Sequence, residues 1–179
     1  MPVASKIIPP ANVRTMGADG ALDGNGIGIA IVDSGIYNAH TSFIDTQTGQ
    51  SRIVVNQDFT GEGRTDDPYG HGTFVAAVAA GGAGAGAAYT GMATGASLLN
   101  VRVLNSTGQG TVESVLAGLD WVAANARQYN IRIVNLSLGT RAVDGSNIFV
   151  LQQTCRAEDA RMSTRSLQIE RQELHVDAD

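Results

Sequence analysis

A chain of 179 residues, 43% hydrophobic and 16% charged, has an ordinary globular make-up and is long enough for one domain that buries about 70% of its unfolded surface. A net charge of -5 and a pI near 5.1 leave no basic stripe for a nucleic-acid backbone and no polybasic cluster for an anionic membrane, so neither partner is expected. The single cysteine, Cys155, excludes an intrachain disulfide, residues 1–10 lack the apolar run of a signal peptide, and no stretch approaches a membrane span.

In chain order, the apolar run Ile27–Val32 reads as a strand that delivers Asp33 at its C-terminal end and turns on Gly35. Arg52–Asn56 is a second predicted strand. His71, between Gly70 and Gly72, opens a helix of small residues over 71–80. Leu98–Leu104 reads as a strand and Thr111–Arg127 as a helix, on which Val112, Val115, Leu116, Leu119, Val122, Ala123 and Ala126 form one apolar stripe. Thr111 suits its N-cap, and Glu113 suits the positive end of its dipole. Ile131–Leu138 closes the series as another strand. Strands alternating with helices predict an α/β fold, a parallel sheet with helices on both faces. Catalytic groups in such folds gather at strand C-termini, where Asp33 stands.

A compositional break follows. Residues 141–179 hold 12 of the 29 charged residues and one of the 22 glycines, Gly145. The segment Ile148–Leu151 reads as a short strand, and residues 155–175 show no clean apolar stripe.

The turn Val32–Gly35 and the segment Gly70–Ala76 resemble the aspartate and histidine motifs of the subtilisin-like serine proteases (subtilases, peptidase S8 family), in that family's order. By that resemblance Asp33 and His71 are the catalytic Asp and His of an Asp-His-Ser triad, His71 acting as general base and then general acid and Asp33 holding its imidazole in the right tautomer. Val103–Leu104 with Gly108, Gln109 and Gly110 resembles one wall of the subtilase cleft, and Val134–Gly139, with Ser137, Leu138 and Gly139, the opposite wall. The resemblance implies a polypeptide substrate held in extended conformation between them, with the wall glycines admitting its backbone. Gly91–Ala96 resembles the connection into the next strand, and Asn12–Arg14 with Gly17 and Ala18 the lead-in.

Two family features find no match: the oxyanion-hole asparagine and the Gly-Thr-Ser-Met type segment that carries the nucleophile. Asn135 belongs to the wall, and Ser163 lacks a glycine frame. The chain is therefore expected to be a serine-type endopeptidase by family yet catalytically incomplete, with a pseudoprotease or peptide-binding module as the alternative. The expected organisation is a lead-in over 1–11, a partial catalytic domain over 12–144, truncated before the C-terminal strands and nucleophile helix, and a divergent tail over 145–179, frameshifted or disordered. Such a truncation is expected to leave the last apolar strand exposed at a sheet edge. The resemblance also implies secretion of the full-length family member and structural calcium in the family, although no ligand set here is assignable.

The remaining motifs have plainer readings. His40, set with His71, Asp66 and Asp67, lacks zinc-site spacing and reads as loop, and the two acids read as solvated turn residues. Gly24–Gly28 precedes its strand instead of following one, and Gly81–Gly86 follows a helix and lacks Gly-Lys-Ser/Thr, so neither cradles a phosphate. Trp121 reads as core.

Overall fold

The computed structural model describes residues 22–82 and 90–140 together with two short strands, 155–156 and 175–178. Its elements are β1 (Gly28–Asp33), a 3-10 turn (Thr41–Phe43), β2 (Ile53–Asp58), α1 (His71–Ala80), β3 (Ser97–Arg102), β4 (Gln109–Thr111), α2 (Val112–Asn125), β5 (Ile131–Leu136), β6 (Leu138–Thr140), β7 (Cys155–Arg156) and β8 (His175–Ala178). The expected strand at Ile148–Leu151 and the lead-in motif at 12–18 lie outside the described residues.

The main sheet runs β2-β3-β1-β5-β7, with β2, β3, β1 and β5 parallel and β7 antiparallel at the edge. Every residue of β1 is buried, as a central strand covered on both faces requires. Side-chain alternation sends Ile29 and Ile31 into a core layer with Ile36, Phe43, Leu98, Ala76 and Ala80 under α1. Ala30 and Val32 enter the opposite layer with Leu99, Val101, Val103 and Val122 under α2. The same period of two puts Asp33 on the α1 face.

Helix α1 buries Gly72, Ala76 and Ala80, three small residues spaced by four, which lets its backbone lie close to the sheet. Its last turn is held by Arg52, a buried guanidinium that donates to Ala80 O (2.6 Å), Ser42 O (2.7 Å) and Ala96 O (3.0 Å). On α2 the buried line is Ser114, Gly118 and Val122, whereas Leu116 and Ala123 from the expected stripe face outward. Gly118 decides this: a Cβ there would stand 2.7 Å from Val103 Cγ1 and 3.1 Å from Val101 Cγ1, so the helix settles on its smallest residue. Thr111 is the N-cap as expected, in a reciprocal box with Ser114. Trp121 packs against this core and stacks on Tyr129, with ring centroids 6.1 Å apart.

The long strand expected over 131–138 divides into β5 and β6. The open edge expected at β5 is covered in part, since Ile133 and Val134 pair with Arg156 and Cys155. Unpaired backbone on an apolar edge strand recruits an available strand, and here one comes from the divergent segment 145–179. A second, small sheet has the order β4-β8-β6.

Candidate active site

Asp33 closes β1, fully buried, and His71 opens α1 with 16% of its side chain exposed. His71 Nδ1 lies 2.8 Å from Asp33 Oδ1. Opposite a buried carboxylate, Nδ1 is the protonated nitrogen and donates, which leaves the lone pair on Nε2. Asp33 Oδ1 also accepts the Ser34 amide at 2.7 Å, and its Oδ2 has no partner among the described residues.

The glycines of the two motifs are required by close approach at Gly35 and Gly72 and by backbone conformation at Gly70. A Cβ on Gly72 would collide with Gly35 O and stand 3.1 Å from Asp33 Cβ. Gly35, at φ +116°, would drive its own Cβ into the backbone of Asp66. Gly70 enters the helix at φ +90°, a conformation that L residues with side chains adopt only under strain.

Asp67 corrects the sequence reading most sharply. It is half-buried and central, not a solvated turn acid. Its Oδ1 accepts from Ser34 Oγ (2.7 Å) and the Gly70 amide (2.8 Å), and its Oδ2 from the amide and hydroxyl of Thr73 (2.7 and 2.6 Å). Ser34 Oγ in turn accepts the Gly72 amide at 3.0 Å. One carboxylate thus satisfies orphan amides at the start of α1 and ties them to the residue after Asp33. An acid four residues before the histidine was the available signal. Asp66 does behave as expected, in an exposed fork with Arg64 (2.7 and 2.6 Å) that holds its carboxyl below the usual range.

Arg102 was also missed. Fully buried beside β1, it donates to Ser34 O (3.0 Å), Arg64 O (3.2 Å), Asp58 (3.3 Å), Thr60 (3.0 Å) and Glu62. The hydroxyl of Ser106 and this guanidinium pull the Glu62 carboxyl down to about 2. The network fastens the loop after β2 to the loop after β3, behind the Asp33 turn.

The wall residues come together around one strand. Gln109 and Gly110 lie in β4, and Leu138 and Gly139 in β6, on opposite sides of β8. Gly108 precedes β4 at φ +78°, and Ser137 precedes β6 with its Oγ accepting from Asn135 Nδ2 at 2.9 Å. The glycine argument needs revision at two positions. A Cβ on Gly110 would meet Val103 O at 2.6 Å, so that glycine serves packing within the chain, whereas Gly108 is called for by its positive φ, the Tyr69 ring beside it being an exposed side chain. Tyr69, two residues before His71, links the histidine segment to this wall.

His40 caps the 3-10 turn, its Nδ1 accepting the Ser42 amide at 3.2 Å, as its loop reading implied. Among the described residues no group of three or more His, Cys, Asp or Glu could hold a metal ion. No helix among them is long and apolar enough to cross a membrane. Ser163 lies outside the described residues.

A parallel α/β sheet thus ends in a buried Asp, and a His at the start of a small-residue helix bonds to it through a ring nitrogen. A profile of the subtilase family matches residues 24–174, and the chain belongs to that family. It is 39% identical over 119 residues to alkaline serine exoprotease A of Vibrio alginolyticus, covering 66% of this chain and 20% of the relative. To proteinase T of Parengyodontium album it is 40% identical over 119 residues, covering 65% and 36%. Among solved structures it resembles a cold-adapted subtilisin-like serine proteinase (TM-score 0.51, 32% identity) and Sphericase (TM-score 0.56, 30% identity), in each case over 68% of this chain and 40% of the other. The chain therefore spans well under half the length of these relatives.

Proposed function

We propose that this chain supplies the acid–base half of a serine endopeptidase centre and its groove for an extended polypeptide. Asp33 holds the His71 ring in the tautomer with Nδ1 protonated. His71 Nε2 takes the proton of an attacking hydroxyl and returns it to the leaving amine. Gly108, Gln109, Gly110, Ser137, Leu138 and Gly139 form the two groove walls, whose backbone groups pair with the substrate as an added strand. The observation that carries the reading is the 2.8 Å approach of His71 Nδ1 to a fully buried Asp33. For the full-length counterpart we propose secretion, on family membership alone.

No serine segment of this sequence matches the family's nucleophile motif, so the chain by itself is expected to leave peptides intact and to escape fluorophosphonate labelling. The acid–base assignment is tested by NMR of the ring nitrogens. A low-field Nδ1 proton on His71 that disappears in Asp33→Ala supports it, and its absence from the unaltered chain refutes it. A covalent fluorophosphonate adduct on any serine would refute the incompleteness.

A second reading, a peptide-binding module without catalysis, is favoured by one observation: β4 and β6 hold a strand between them. Saturable binding of extended peptides by the inactive chain would support it.

A further inference from the structure

The strand in that position is the chain's own. β8 is antiparallel to both walls, pairing Asp177 with Gln109, Val176 with Gly110 and His175 with Thr111 on one side. On the other side Ala178 pairs with Leu138, Asp177 with Gly139 and Val176 with Thr140. We propose that His175–Ala178 occupies the peptide groove in cis and excludes external peptides until it is displaced. This rests on the reading of the two walls as a peptide groove.

Three observations carry it. The walls are strands of only three residues, and β8 lies between them, so the backbone groups that each wall turns inward are met by one segment. Four of the six proposed groove residues, Gln109, Gly110, Leu138 and Gly139, are register partners of β8. And among the described residues β8 pairs only with β4 and β6, while the main sheet closes through β7, so the segment can leave without opening the sheet that carries Asp33.

The chemistry of recognition is main-chain pairing on both edges of an extended segment, which tolerates many side chains. A tethered segment competes at an effective concentration on the order of mM, so a free peptide must either bind well below that or wait for release. Apparent affinity falls in proportion to the fraction of molecules with the groove open.

The test uses the full chain, a double variant Val176→Pro with Asp177→Pro, and a fluorescein-labelled peptide of the sequence 173–179. Proline removes the amides that β8 offers to the two walls. In the unaltered chain the amides of Val176, Asp177, Gly110 and Gly139 are expected to exchange slowly. In the variant, protection of Gly110 and Gly139 falls while that of Val32 and Val101 persists, and the labelled peptide binds at least about tenfold tighter than to the unaltered chain. Fast exchange at 176–177 in the unaltered chain overturns the proposal, and so does equal peptide affinity in the two proteins. If the variant does not fold, unlabelled peptide in excess is added to the unaltered chain, where faster exchange at Val176 and Asp177 supports displacement and unchanged exchange overturns it. The His71 Nδ1 proton is read in the same samples. Its presence alongside either negative result sinks the self-occupancy and spares the acid–base assignment, whereas its absence sinks that assignment independently.

Discussion

Ser34 and Asp67 are joined by a 2.7 Å hydrogen bond that ties the end of β1 to the start of α1 across 33 residues of sequence. Asp33 and His71 sit on the two elements so joined. Their pairing therefore depends on a carboxylate that touches neither of them. Asp67→Ala removes four acceptor contacts, two of them to helix-start amides, and is expected to lower stability by about 2–3 kcal/mol. Ser34→Ala cuts only the cross-link and the Gly72 contact and is expected to cost about 1 kcal/mol. Both should weaken the low-field His71 proton. Urea unfolding and ring-nitrogen NMR check this, and an Asp67→Ala protein as stable as its parent would refute it.

Gly72→Ala tests the close approach of helix and strand. Its Cβ would meet backbone at Gly35 and the Cβ of Asp33, neither of which can rotate away. The helix must lift, with a cost of about 3 kcal/mol and loss of the Asp33–His71 hydrogen bond. A folded Gly72→Ala chain that retains the His71 proton would show that the junction yields more easily than packed backbone should.

The Arg102 network gives the acid limb of the stability curve. Glu62 titrates at about 2 in the folded chain against an ordinary 4.5, so it favours the folded state wherever the carboxylate is ionised in both forms. That stabilisation is complete above about pH 4.5 and is lost as the pH falls from there toward 2. Glu62→Gln should therefore be less stable than the parent at pH 6, with the difference shrinking toward pH 2. Arg102→Ala should cost about 3–5 kcal/mol at neutral pH, because it leaves Asp58 and Glu62 facing a buried vacancy. Urea midpoints across pH 2–7 decide both.

Much of this was legible in the sequence because the relevant signals are local. The alternation Ile29, Ile31, Asp33 fixes which face of the sheet the carboxylate joins, and a run of glycine and alanine after His71 announces a helix that lies close to it. The segments 108–110 and 137–139 could be singled out only through resemblance, since three-residue strands such as Gln109–Thr111 carry no period of their own. What stayed hidden depends on partners distant in sequence. Asp67 looks like any turn acid until Ser34 arrives beside it, and Arg102, a charge ending an apolar strand, acquires meaning only from Asp58 and Glu62. The burial of Gly118 in place of Leu116 is likewise decided by Val101 and Val103 beneath the helix. The pairing of 175–178 lies furthest from inference, because strand addition reads main-chain groups that every sequence possesses.

Gly108 separates two causes that the sequence cannot distinguish, backbone conformation and steric contact. At φ +78° an alanine is strained by about 1 kcal/mol whatever surrounds it. Its Cβ would also enter the Tyr69 ring, but that ring is 47% exposed and can swing aside. Gly108→Ala is therefore expected to cost about 1 kcal/mol both in the parent and in Tyr69→Ala, with a coupling below about 0.5 kcal/mol in the double-mutant cycle. A coupling of about 2 kcal/mol would mean that Tyr69 is held rigidly against the wall. It would then be a fixed strut between the His71 segment and β4, and the conformational explanation for this glycine would fail.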